Sequence, residues 1–207
     1  MAEQISKTKK KQWYSIVAPK QFENVVLGET LVYDPQSMVG KTLSHSLMNL
    51  TNDVKKQNIN VHFKVTEVEG DKAKTVIYGY EIIPSSLKRF VRRNSEKIIL
   101  SFQCETSDNI SLRVKPLLVT RGDVKGSVAA RLRHTLYQHI IKTIKGLTYD
   151  ELINELISHK LQSGIRESLH KIYPLKICEI RYLGLEQKDR SAAKQESKVE
   201  APAEVQQ

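Results

Sequence analysis

The stretch Ile59–Glu69, INVHFKVTEVE, followed by Gly70-Asp71 and then Lys72–Ile83, KAKTVIYGYEII, decides the fold. Val61, Phe63 and Val65 alternate with His62, Lys64 and Thr66, so an extended chain here has one apolar face and one polar face. Gly70-Asp71 supplies a tight turn, and an apolar run resumes from Thr75 to Tyr80. Together these pieces read as a long antiparallel β-hairpin.

The same pattern extends in both directions. Trp13–Ala18, Val25–Tyr33, Lys41–Leu50, Lys97–Glu105 and Ile110–Val119 are rich in β-branched or aromatic residues and are bounded by Gly, Pro, Asn or Asp. Asp108-Asn109 marks a second hairpin between Ile98–Cys104 and Ile110–Val114. Short turns make antiparallel pairing the dominant theme, and a barrel or sandwich is the natural way to bury so many strands. One short helix interrupts them after Pro84, with Ser85 or Ser86 as its cap. Leu87, Phe90 and Val91 are expected inward, while Lys88, Arg89, Arg92 and Arg93 project elsewhere.

The final third is expected to be helical. In Ser127–Lys145, SVAARLRHTLYQHIIKTIK, a wheel at 100° per residue gathers Val128, Leu132, Leu136, Ile140 and Ile144 on one face. Arg131, His134, Gln138, Lys142 and Lys145 fall opposite, and Arg133, Ile141 and Thr143 break the pattern. Gly146 ends this helix, and Thr148 with Glu151 makes a capping box for the next. That helix buries Leu152, Ile153, Leu156 and Ile157 and leaves near Gly164. Another carries Ile165, Leu169 and Ile172 and stops before Pro174, and Leu175–Leu183 returns to a strand. The fold class expected is α+β: an antiparallel β-barrel-like core with flanking α-helices. Residues 12–185 form a single domain between a basic tail, 1–11, and a disordered tail, 186–207.

Charge narrows the function classes. The chain carries a formal +10, and from Glu186 onward five acids face four bases, which leaves about +11 on the rest. Excess positive charge on a folded body points to a polyanion, most often nucleic acid. No apolar run approaches a membrane span and no export signal opens the chain, so a soluble, cytoplasmic protein is expected. Cys104 and Cys178 lie far apart in apolar runs and read as reduced core residues.

Motifs for chemistry are weak or absent. Gly40-Lys41-Thr42 resembles the end of a phosphate-binding loop, but Pro35 stands where its first glycine belongs and a strand pattern follows where a helix is needed. His134 and His139 fall on different helix faces, and His45 and His62 read as structural strand residues. Neither a G-x-S-x-G nor a Cys/His nucleophile pair occurs. No enzyme, metal or cofactor is expected.

What remains is the basic set. Lys9, Lys10 and Lys11, then Lys88, Arg89, Arg92 and Arg93, then Lys125, Arg131, Arg133, His134, Lys142 and Lys145 are the candidate RNA-binding residues. Aromatic residues are sparse beside them, with Phe90 and Tyr137 the nearest. That favours structured RNA or a duplex, bound by backbone and shape, over single strands on a stacking platform. A membrane-surface protein would need more exposed apolar helix face than these helices can spare.

The order of several short motifs carries a resemblance. Lys11-Gln12-Trp13-Tyr14 is followed by Ala18-Pro19 and Phe22, then Gly28-Glu29-Thr30-Leu31-Val32. Gly40-Lys41-Thr42, Ser46-Leu47, Leu50 and Asn52-Asp53 come next, and Ile172-Tyr173-Pro174-Leu175 lies near the end. In that order, from about Lys9 to Leu185, the chain resembles the archaeal and eukaryotic counterpart of small-subunit ribosomal protein S-one. Its length and short C-terminal tail look more like the archaeal branch. The resemblance implies a barrel-like core on the platform of the small ribosomal subunit near the messenger exit. It implies contacts with small-subunit rRNA and neighbouring ribosomal proteins, and neither catalysis nor a small-molecule substrate. A free RNA-binding regulator or RNA chaperone outside the ribosome is the alternative.

Overall fold

The computed structural model describes residues 10–186, and its longest ladder is the hairpin of β4, Ile59–Glu69, and β5, Lys72–Ile82. Gly70 takes φ 57° in the turn, a backbone conformation that costs glycine nothing. Ile59, Val61, Phe63 and Val65 are buried, as the alternation requires. β3, Thr42–Ser46, pairs on the outer side of β4.

β5 organises the remaining strands. Along its first residues it pairs in parallel with β1, Gln12–Val17, which in turn carries β2, Val26–Val32. Along its last residues it pairs antiparallel with β9, Leu175–Leu185. β9 pairs with β8, Ser111–Thr120, whose other edge takes β6, Lys97–Ile99, and β7, Phe102–Glu105. The result is one nine-stranded sheet, barrel-like only loosely because its strand order does not close. All the pairings are antiparallel except the short one between β1 and β5.

Among the described residues five α-helices complete the α+β architecture: α1, Leu47–Thr51; α2, Pro84–Phe90; α3, Gly126–Lys145; α4, Tyr149–Ile157; and α5, Lys160–His170. The main core joins Phe63, Tyr80 and Leu118 of the sheet to Leu136 and Ile140 of α3, Leu156 of α4 and Leu169 of α5. A smaller cluster of Tyr14, Val32, Met38, Val65 and Ala73 lies under the β1–β2 end. Cys104 and Cys178 are both free and buried, and burial raises both thiols.

Several boundaries differ from the sequence expectation. Lys41–Leu50 is a strand only to Ser46; Leu47 and Leu50, three apart, then turn inward on one face of α1. Lys97–Glu105 is two strands. Pro116 of β8, opposite the gap between them, has no N–H to offer the ladder, and the pairing breaks there. Gly164 is not a helix exit, for it lies inside α5. The break falls at His159, whose φ of 58° is left-handed. Gly146 does end α3, but at φ −90°, so its freedom at positive φ is unused. The first helical residue of α2 is Pro84, preceded by Ile83 as the cap, and Ser86 is buried instead of capping.

Candidate nucleic-acid interface

α3 has the simplest geometry. Ala129, Leu132, Leu136, Ile140 and Ile144 are buried against the sheet and α5, while Val128, placed inward by the wheel, is half-buried. Arg131, Arg133, His134, Lys142 and Lys145 are exposed along a helix of 20 residues, about 30 Å. Gln138 Nε2 donates to His134 Nε2 at 2.8 Å, one turn away. At the far end Ser107 N donates to the carbonyl of Leu147, and Asp108 Oδ2 accepts from Tyr149 N at 2.9 Å, so the β7–β8 turn pins the joint between α3 and α4. The Thr148–Glu151 capping box forms as read, and these hydrogen bonds hold the Glu151 carboxyl below its usual range.

α2 carries fewer of its expected cations. Lys88 and Arg89 are on the helix, but Arg92 and Arg93 lie in the turn beyond it, closed by Ser95 Oγ donating to the Arg92 carbonyl at 2.6 Å. Phe90 and Val91 are only half-buried. Arg89 turns one guanidinium nitrogen back onto Asn58 Oδ1 at 3.3 Å and Ser86 Oγ at 3.1 Å.

Tertiary hydrogen bonds bring the two basic elements together. Thr120 N donates to the Glu96 carbonyl at 3.0 Å, and Glu96 N donates to Thr120 Oγ1 at 2.9 Å. The turn holding Arg92 and Arg93 therefore abuts the segment that leads to exposed Lys125 and the start of α3. Lys10 and Lys11 stand apart. They precede β1, which meets the first residues of β5, whereas α2 follows its last, about 30 Å along the strand. Lys9 lies outside the described residues, as do residues 1–8 and everything beyond Glu186. Glu186, read as the first residue of a disordered tail, accepts from Arg113 at 2.6 Å.

Two aromatic features escape sequence reading. The β1–β2 register sets Trp13 across from Leu31, and Lys11 Nζ sits 5.1 Å from the ring centroid of Tyr33. Trp13 is 64% exposed and Tyr33 56%. Along α3, Phe102 packs edge-on to Tyr137 at 4.9 Å, beside a groove of about 440 Å³ that Arg133 and His134 also line. Both pairs join residues distant in sequence, and only strand register or helix docking brings them together. Gly40-Lys41-Thr42 leads into β3, a strand, as its pattern requires. Among the described residues no group of His, Cys, Asp and Glu is arranged to hold a metal, and no helix is long and apolar enough to cross a membrane.

The family model described as the Ribosomal S3Ae family matches residues 2–203. The chain belongs to that family. Three archaeal proteins it is similar to are each named small ribosomal subunit protein eS1. That of Haloarcula marismortui is 32% identical over 199 residues, 96% of this chain and 93% of its own. That of Desulfurococcus amylolyticus is 33% identical over 174 residues, 84% of this chain and 82% of its own. That of Saccharolobus islandicus is 35% identical over 174 residues, 84% of each chain. For this S3Ae-family chain, the resemblance drawn from short ordered motifs and the whole-length match agree.

Proposed function

We propose that the chain is a structural constituent of the small ribosomal subunit, which binds small-subunit rRNA by phosphate contacts and shape and touches neighbouring ribosomal proteins. One observation carries the rRNA contact. Among the described residues, ion pairs fall on Lys56, Lys74, Arg113, His62 and His159, and none falls on a described candidate cation. Lys88, Arg89, Arg92, Arg93, Lys125, Arg131, Arg133, Lys142 and Lys145 thus leave their charge for a partner, and counterion release on meeting phosphate favours binding. Residues 12–185 act as a rigid mount. The turn after α2 and the exposed side of α3 form one basic surface, Lys10 and Lys11 form a second, and Lys9 stays a candidate outside the described residues. The mechanism is electrostatic docking, with no catalytic group. The expected location is the ribosome in the cytoplasm, on the platform near the messenger exit, as the resemblance implies.

The test is binding of the full chain to purified small-subunit rRNA across a salt series. Six phosphate contacts predict a loss on the order of 10³ in affinity between 50 and 200 mM salt. Affinity that is flat across that range overturns the reading. Sedimentation separates the alternative, because a ribosomal constituent stays with small subunits at physiological salt at about one copy each, whereas a free regulator does not.

A further inference from the structure

We propose that the groove between α3 and the β6–β7 edge of the sheet holds a short unpaired segment of the bound RNA, with one base against the Tyr137 ring and phosphates beside Arg133 and Lys145; this deepens the rRNA reading above and rests on it. β6 and β7 pair only with β8, so their far side is a sheet edge, and α3 runs beside it. Two hollows open along this line, of about 440 Å³ and about 280 Å³. Tyr137 lines both and stands between them along the helix.

Arg133, Tyr137, Ile141 and Lys145 are spaced four apart and make one row along α3, about 18 Å long. Arg133 and Ile141 are two of the residues that break the wheel, and this row accounts for them. It flanks the buried stripe and lines the two hollows, whereas Arg131 and Lys142 lie farther round on the outward side. Phe102 of β7 meets the Tyr137 ring edge-on at 4.9 Å and holds it in place, yet Tyr137 stays 43% exposed. An aromatic ring already fixed by packing, and open to solvent between two hollows, offers a stacking surface at small entropic cost. The sequence shows Tyr137 alone. Phe102 comes to it only through the docking of α3 beside β7.

The lining selects among occupants. Leu100, Phe102 and Ile141 give it an apolar floor, Arg133, His134 and Lys145 give it exposed donors, and Glu105 is the one acid among the described residues that line it. An apolar side chain from a neighbouring protein would fill the floor but strip water from Arg133 and Lys145 with only Glu105 to answer them. A duplex keeps the faces of its bases inside the stack and brings the ring only edges, sugar and phosphate. An unpaired nucleotide suits floor and cations together, since every base has a π-face for Tyr137 and carries a phosphate. Stacking accepts any base, so no sequence preference is expected in the groove. Arg131 and Lys142 stand on the outward side of the same helix, and RNA held there reaches the groove without leaving α3.

The experiment binds the full chain to purified small-subunit rRNA across a salt series and probes the complex by 2′-hydroxyl acylation, which reads mobile unpaired nucleotides whatever their base. The variants are Tyr137→Phe, Tyr137→Leu and Arg133→Gln, each checked for folding by thermal melting. Tyr137→Leu is expected to lower affinity on the order of tenfold at every salt concentration without changing the salt slope, because stacking releases no counterion. Tyr137→Phe keeps the ring and stays within about twofold. Arg133→Gln shallows the slope by about 0.7. A short run of unpaired nucleotides, protected by the wild type and by Tyr137→Phe, becomes reactive in Tyr137→Leu and in Arg133→Gln. Arg133 is exposed, so its variant keeps the test decisive if Tyr137→Leu misfolds. Affinity and acylation unchanged in both overturn this inference alone, as does protection confined to paired nucleotides. If Tyr137→Leu keeps its rRNA affinity but leaves small subunits that carry their other proteins, the groove takes a protein and the RNA assignment falls. A wild-type chain that does not bind the rRNA overturns the rRNA reading and this inference with it.

Discussion

Gly79 of β5 lies directly across from Gly184 of β9, in a pairing of only three residue pairs that joins the β1–β5 part of the sheet to the β6–β9 part. A Cβ on Gly79 would stand 3.0 Å from the Leu183 carbonyl oxygen, a backbone atom with little freedom to yield. A Cβ on Gly184 would instead meet the hydroxyl end of the Tyr182 side chain, which can swing away. Gly79→Ala is therefore expected to cost about 1–3 kcal/mol and Gly184→Ala less, as measured by urea denaturation. Equal costs would show that the two glycines are not distinguished by what faces them.

Tyr149 ties α4 to the same strand, since its hydroxyl donates to the Ile77 carbonyl at 3.0 Å inside the core. Tyr149→Phe removes that bond with no change of shape. A loss of about 1–2 kcal/mol is expected, with rRNA affinity unchanged once the variant is folded. Stability within error of the wild type would mean that water reaches Ile77.

Glu179 gives a pH signature. Burial, opposed by Arg166, pushes its carboxyl from 4.5 to about 7. Between those values the folded state binds more protons than the unfolded one. The chain therefore loses stability as pH rises through that window and remains at the lower level above it. Glu179→Gln removes the effect. It is expected to gain on the order of 3 kcal/mol relative to wild type at pH 8, and little at pH 4. Denaturation at both pH values checks this, and a gain independent of pH counts against it.

The two basic elements separate by salt dependence. Arg131→Gln with Lys142→Gln tests the exposed face of α3, and Arg92→Gln with Arg93→Gln tests the turn after α2. Each cation that meets phosphate is expected to shallow the plot of log affinity against log salt by about 0.7–0.9 when removed. All four side chains are exposed, so stability should move by less than about 0.5 kcal/mol. Slopes unchanged in both pairs would remove these residues from the interface.

By itself the sequence determined whatever rests on short-range pattern. Alternation of period two set Ile59–Glu69 and Lys72–Ile82 as strands, and the 3.6-residue period of Leu132, Leu136, Ile140 and Ile144 set the buried face of α3. The Thr148–Glu151 box set the start of α4. In each case the determining atoms lie within four residues of one another, so local steric and hydrogen-bonding rules suffice. The ordered motifs also carried the family, because their sequence along the chain is itself a local record.

The failures have the opposite physics. Leu47–Thr51 is too short for its period to separate helix from strand, and Lys97–Glu105 breaks because of Pro116 on another strand. His159, not Gly164, takes the left-handed turn between α4 and α5. Only the tertiary structure decided the Gly79–Gly184 join, the bonding of Glu96, just past the Arg92–Arg93 turn, to Thr120, and the placing of Lys11 over Tyr33. It alone also made the groove that brings Tyr137 and Phe102 together beside Arg133 and His134. These pairings depend on strand register and helix docking, and those follow from burying one shared core.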